Sequence, residues 1–461
     1  MRPTRICLLA GLTLAIGGAS PQYVWSQTAT GATVFDGVTL VPMNRPGAVA
    51  DQVVVVDGGK IVDIGARGKV TIPPNAKRID GRGKFLMPTL TDMHVHIPID
   101  DAAEQQRNAA IFVSNGVGTV RALRGSQTLR ETNAKIQRGE IVGPTIDMAG
   151  NVFINGADPS IPMPTVAGVT AGIKKDKADG YKYIKILANL PDEVWEAAVQ
   201  TAEKEGMQVV GHVPSGPGGL ERALKAHYTS VEHLDGFPVA LSRPDHPPLE
   251  FQGINMVPYI EQSKIPGVVE MVKRAGAAVT PTQANYGNRF VMDEPEKMAR
   301  RPEMKYVDPE QVKKWTELKK GDWAKYSAET RTNFMAFRCR LINALHKGGV
   351  RVMIGTDSSM TLPQQWNVHG FTTHAELEAF AACKINPYEI LEMATKSPAE
   401  FMGTIDRTGT VEKGKQADLL LLDADPLADV ANTRKIAGVM LRGRWVDRDN
   451  IAALLKAAEW H

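Results

Sequence analysis

Eight short apolar runs, separated by stretches of helical periodicity, recur between residues 91 and 357, and this alternation limits the fold more than any other feature of the chain. The runs are 91–96 (TDMHVH), 117–123, 144–150, 183–187, 208–213, 230–234, 278–283 and 352–357. Between them lie helical stretches such as 191–206 and 265–276. Strands joined through helices pair in parallel, and eight such units close into a barrel. An open doubly wound sheet would carry a glycine-rich turn after its first strand, where this chain has His94-Val95-His96. The expected fold class is therefore α/β, a (β/α)8 TIM-like barrel over 88–404. Residues 31–85 read as hairpins, with a turn at Asp57-Gly58-Gly59, and the end of the chain has the same texture. The stretch 241–330 is long for one connection. Helices there, with Trp315 and Trp323, are expected to shape the pocket entrance.

Charge narrows the partners. Lys+Arg is 54 and Asp+Glu 51, a balance without the basic footprint that nucleic-acid binding needs. Arg2 and Arg5 precede the apolar run 6–16, which is too short to span a bilayer. Residues 1–26 thus read as a signal peptide cut before Gln27, the alternative being a retained anchor. The expected location is periplasmic or secreted, with no membrane attachment after cleavage. Cys339 and Cys383 then remain, expected as buried free thiols; a single bridge between them is not readable from sequence.

The chemistry-bearing residues sit in or at the ends of the strands. His94 and His96 are two apart and share a strand face. Lys185 lies in the fourth strand, His212 ends the fifth, His233 the sixth and Asp357 the eighth. In a parallel barrel the C-terminal ends of different strands converge on one pocket. Four imidazoles and a carboxylate are a donor set for zinc and related divalent ions. Each residue alone has an ordinary reading, as a packed core histidine, a surface lysine or a helix cap. Buried together without a shared partner, they would leave many polar groups unsatisfied. An inward-facing Lys185 would be desolvated toward the neutral amine, which can take up carbon dioxide as a carbamate.

At this point the chain resembles the amidohydrolase superfamily, in its imidazolonepropionase-like and prolidase-like branch. The matching stretches include FLMPTLTDMHVH, GVGTVRAL, DGYKYIKIL, VVGHVP, TSVEHLDG, GGVRVMIGTDSS and GTVEKGKQADLLLLDADPL. The resemblance implies two divalent metal ions, expected to be Zn2+. His94, His96 and Asp357 would hold the more buried one and His212 and His233 the other, with N6-carboxylated Lys185 and a hydroxide between them. Asp357 would also be the catalytic proton shuttle. It further implies a small β-sandwich built from residues 27–87 and 405–461, the latter with a terminal helix.

The expected activity is hydrolysis of an amide or related C–N bond in a small molecule: a dipeptide, an N-acyl amino acid or a cyclic amide. The same metal pair could serve an esterase, lactonase or phosphotriesterase. A mononuclear deaminase is the third reading. It is disfavoured because related deaminases carry a glutamate two residues after the fifth-strand histidine, where this chain has Pro214. Pro214 also replaces a second histidine found in some dipeptidase relatives. Arg121, Tyr286 and His369 are the candidate substrate contacts, with Arg124 a further arginine after the second strand. Homo-oligomerisation is left open.

Overall fold

The computed structural model describes Tyr23 and residues 31–153, 164–187, 190–214, 218–362 and 366–461. The expected signal peptide falls outside the described residues except for Tyr23. That residue packs inward, its hydroxyl donating to the Ala457 carbonyl at 3.0 Å, a contact that a cut before Gln27 would remove. No helix among the described residues is long and apolar enough to cross a membrane.

Seven parallel strands form the barrel in chain order: Leu90–Val95, Val117–Ala122, Thr145–Phe153, Tyr183–Ile186, Gln208–Gly211, Tyr228–Glu232 and Ala278–Thr280. The eighth expected strand runs in the remaining gap, but as an irregular segment. Met353 N donates to Val279 O at 3.0 Å on one side, and Met93 N donates to Ile354 O at 2.9 Å on the other. Its pairing reduces to isolated bridges at Val352 and Ser358. Asp357 lies at φ 57°, in the left-handed region that interrupts a strand. Gly355 lets the segment approach the first strand: a Cβ there would sit 2.3 Å from Thr280 Cγ2 and 3.0 Å from His94 Cβ.

Strand parity divides the barrel. Ile184, Ile186, Val209, Val231, Val279 and Ile354 pack outward in the main core with the surrounding helices. Tyr183 and Val210 belong to a separate cluster with Phe401 packed against it. That ring also stacks on Tyr183, with centroids 6.2 Å apart. The expected helices at 191–206 and 265–276 are Asp192–Lys204 and Ile265–Ala275. The stretch 241–330 contains further helices, the longest being Pro309–Lys325. Trp315 in that helix is fully buried rather than at a pocket mouth, because its ring packs with Met298, Tyr306 and Trp366. It acts on the surface indirectly: its Nε1 donates to the Leu362 carbonyl at 2.9 Å.

Both chain ends supply a second, mixed sheet of eight strands. Its order runs Arg444–Asp447, Ile436–Leu441, Leu419–Leu422, Phe85–Pro88, Thr33–Leu40, Val49–Asp57 and Lys60–Ala66, with Lys77–Asp80 paired to Thr33–Leu40. The two ends meet where Leu419–Leu422 runs antiparallel to Phe85–Pro88. Val54 and Val56 share one core cluster with Leu419 and Leu421, while Val53 and Val55 face a smaller one, as alternation requires. The hairpin at Asp57-Gly58-Gly59 forms as expected, with φ of 54° and 79° at the two glycines between the paired Asp57 and Lys60.

The expectation of free thiols is corrected. Cys339, on the helix Ala328–Lys347, and Cys383, which caps the helix Phe371–Ala382, form a disulfide across a sequence separation of 44. The end of one helix meets another that is far away in sequence, a proximity that spacing alone does not reveal.

Candidate metal centre

The C-terminal rim of the barrel gathers the expected ligands. Asp357 Oδ1 lies 3.2 Å from His94 Nε2 and 3.0 Å from His96 Nε2. The His94 ring centroid is 4.6 Å from that of His233, which is 4.8 Å from that of His212. Ligand atoms of His94, His233 and Asp357 all fall within 4.8 Å of one another. Backbone conformation helps present them. His233, Asp357 and Thr282 all adopt positive φ at or just beyond strand ends, and such strain gathers where surrounding structure over-determines a site.

Each imidazole is oriented from behind. His94 Nδ1 meets Glu232 Oε2 at 2.9 Å, and His212 Nδ1 meets Asp235 Oδ2. A carboxylate only accepts, so Nδ1 is the donor in both contacts, an orientation that turns Nε2 toward the centre, where a metal would take its lone pair. His233 Nδ1 meets Thr282 Oγ1 at 2.8 Å. Burial, the largest influence, holds His233 well below the usual histidine range and also lowers His96. Burial pushes the Asp357 carboxyl up, but the neighbouring histidines outweigh it and hold the group well below the usual carboxylate range. Asn285 Nδ2 donates to Asp357 Oδ2 at 3.0 Å, leaving Oδ1 toward the histidines.

Lys185 points into the same space. It is 1% exposed, and its Nζ has no hydrogen-bond partner among the described residues. Burial is the main cause that brings its pKa down to about 8, with Glu232 and Asp357 opposing. A cluster of imidazole nitrogens, a carboxylate and a buried amine without a hydrogen-bond partner among the described residues is a donor set for a metal centre. The residues present therefore fit divalent cations.

The substrate contacts divide. Arg121 does not reach the rim. It is fully buried, with Nε donating to the Met93 carbonyl at 2.7 Å and Nη2 to Glu232 Oε1 at 2.7 Å. A guanidinium in a parallel barrel strand can face inward, and here the Glu232 carboxylate captures it. The next candidate is His369. It is fully buried, its Nδ1 bonded to Ser358 Oγ at 2.8 Å and its ring 4.6 Å from Phe112, so it supports the turn behind Asp357. Tyr286 lies beside the centre, its ring centroid 6.4 Å from that of His233 and beneath the Arg338 guanidinium at 3.8 Å. Arg124 is exposed and lines, with His96, a cavity of about 560 Å³ that opens beside the centre.

Sequence reading missed Glu232, Asp235, Thr282 and Asn285. The first two flank His233 in SVEHLDG. Their signal was the presence of carboxylates within two residues of a ligand at a buried strand end. Thr282 and Asn285 gave none.

Comparison with known proteins agrees with this geometry. The model of the amidohydrolase family matches residues 85–446. A 5-methylthioadenosine/S-adenosylhomocysteine deaminase from Teredinibacter turnerae is 33% identical over 87 residues, 18% of this chain and 20% of that protein. An S-triazine hydrolase from Gordonia rubripertincta is 32% identical over 124 residues, 23% of this chain and 26% of that protein. The chain thus matches about a fifth to a quarter of the length of these curated relatives. A prolidase-like protein from Bifidobacterium longum shares the fold, with a TM-score of 0.67, 24% identity, and coverage of 93% of this chain and 98% of that one.

Proposed function

This chain belongs to the amidohydrolase family, and from that premise we propose that it is a binuclear metal-dependent hydrolase of an amide or related C–N bond. The observation that carries the reading is Lys185: a buried amine without a hydrogen-bond partner among the described residues, within the electrostatic reach of Glu232 and of the Asp357 carboxylate that touches His94 and His96. Such a group is costly as a lone ammonium, and its carbamate would provide two oxygens for two cations. His94, His96 and Asp357 would hold one cation, His212 and His233 the other. Bound divalent cations supply Lewis acidity, lowering the pKa of water and polarising a carbonyl.

The protein's own residues do the rest. Glu232, Asp235 and Thr282 hold the imidazoles in position. Asp357, held by Asn285, would accept a proton from the attacking water and return it to the leaving nitrogen. Tyr286 is a candidate donor to the developing oxyanion. Dipeptides, N-acyl amino acids and cyclic amides are the proposed substrates. Esters, lactones or phosphotriesters are the second reading, since the same water can attack them.

Export is proposed from the N-terminal apolar run, and the Cys339–Cys383 disulfide supports it, because such bonds persist in oxidising compartments. Elemental analysis tests the metal reading: about two divalent ions per chain are expected, whereas one favours deamination. Screening the zinc-loaded protein against dipeptide and N-acyl amino acid libraries tests the bond class. Asp357→Asn should lower turnover by about 10²–10⁴-fold while leaving the circular dichroism unchanged; near wild-type turnover removes its shuttle role.

A further inference from the structure

The cavity that His96 lines is also lined by residues from two distant parts of the chain: Leu362, in the loop after Asp357, and Trp460, just past the helix Arg448–Ala457. Both are held by their backbones. Trp460 N donates to the Lys305 carbonyl at 2.8 Å. Arg107 Nη1 donates to the carbonyls of Ala458 at 2.9 Å and Tyr306 at 2.8 Å, and its guanidinium lies 5.2 Å from the Trp460 ring. The Leu362 carbonyl accepts from Trp315, and its amide donates to Ser359 Oγ at 3.1 Å. Yet the side chains themselves stay 42% and 39% exposed, among the most exposed large apolar groups of the described residues.

Fixed backbones with uncovered apolar side chains, set in a concave surface that also contains His96, mark a place where a ligand completes the packing. Ile97, Pro98 and Ile99 continue the apolar lining. The nearby charges are largely committed. Asp101 caps the helix Ala102–Ser114, and Glu104 pairs with Arg107. Of the charged residues lining the cavity, Asp100 and Arg124 have no ion-pair or side-chain hydrogen-bond partner among the described residues.

We propose that Trp460 and Leu362 form a specificity-determining wall that receives a bulky apolar or aromatic group of the substrate, beyond the bond that is cleaved. This rests on the metal-centre reading above and adds to it the class of substituent selected. The tail that follows the last helix thereby becomes part of the substrate cavity, although the metal-binding barrel ends well before it.

Two hydroxamates test the wall, because both present the same chelating head and differ only in the arm. Acetohydroxamic acid and 3-phenylpropanohydroxamic acid are titrated calorimetrically into the zinc-loaded full chain. The phenyl compound should bind about tenfold tighter to the wild type, the scale of one buried aromatic contact. Trp460→Ala should abolish most of that preference and Trp460→Phe should keep it, with acetohydroxamate affinity unchanged in both. Leu362→Ala, on a separate loop, should also reduce the preference and guards against a folding defect in the tail. A preference unaltered in both alanine variants, or absent from the wild type, overturns the wall. Failure of acetohydroxamate itself to bind overturns the metal-centre reading, and the wall with it.

Discussion

Glu232→Gln is the most informative single change, because Glu232 links the structural floor of the barrel to the metal centre. One carboxylate oxygen accepts from Arg121 at 2.7 Å, and the other meets His94 Nδ1 at 2.9 Å. Neither Arg121 nor Glu232 is exposed. Burial works against the charged carboxylate, but Arg121 and His94 outweigh it and hold the group well below the usual range. With the charges about 4 Å apart and an effective dielectric near 20, the attraction is about 4 kcal/mol. Removing one partner of a buried pair costs about 3–5 kcal/mol, since the other is left uncompensated. The two figures agree, so the variant should lose a large share of a stability of about 5–15 kcal/mol. The amide can also present N–H to His94, which would move the imidazole proton to Nε2 and remove the lone pair a metal needs. Loss of such an outer contact lowers metal affinity by about 10–100-fold. Chelator competition reads the affinity, and urea unfolding of the metal-free chain reads the stability. Arg121→Met combined with Glu232→Gln should recover most of the stability but not the metal affinity. If the double variant is no more stable than Glu232→Gln alone, or if metal affinity is unchanged in both, Glu232 does not join the two layers as argued.

Lys185→Ala should reduce bound metal from two ions per chain toward one and abolish turnover, with partial rescue by short carboxylic acids; full metal content by elemental analysis would refute the carbamate bridge. Glu376 caps the helix Gln283–Phe290 by accepting from the amides of Gln283 and Ala284. Burial pushes its carboxyl up to about 8, against about 4.3 in an unfolded chain. Between those values the folded chain keeps a proton that the unfolded chain has lost, so this group makes stability fall as pH rises, by about 1.4 kcal/mol per unit. Glu376→Gln should flatten urea midpoints between pH 5 and 8, and an unchanged slope would exclude Glu376 as the source. Reduction of the Cys339–Cys383 bond, which closes a separation of 44 residues, should cost about 4 kcal/mol by loop entropy. Equal thermal midpoints with and without reductant would show that the link contributes nothing.

The strand alternation and the donors at strand ends were legible because both follow from period and position: His94 and His96 share a face whichever helices surround them. Arg121 was not. Whether an arginine near the end of a strand grips a substrate or a neighbour depends on what the opposite wall supplies, and Glu232 lies 111 residues away. The disulfide was hidden for the same reason, since Cys339 and Cys383 are brought together only by the tertiary fold. The eighth strand carries a strand-like sequence, yet its backbone yields to the demand that Asp357 turn toward two histidines. Trp460 gave no signal either, as an aromatic far beyond the barrel reads as part of a terminal helix.

The junction between Phe85–Pro88 and Leu419–Leu422 sets an order of events during synthesis. Phe85–Pro88 leaves the ribosome more than three hundred residues before its neighbour Leu419–Leu422 exists. Until then Phe85–Pro88 presents an unpaired edge carrying Leu86 and Met87, the kind of edge that recruits other chains. Long-range pairing of this sort is also slow to form. Last to be made, the strands after Leu419 act as a latch: a nascent chain halted anywhere within the barrel would expose a sticky border that the finished molecule conceals.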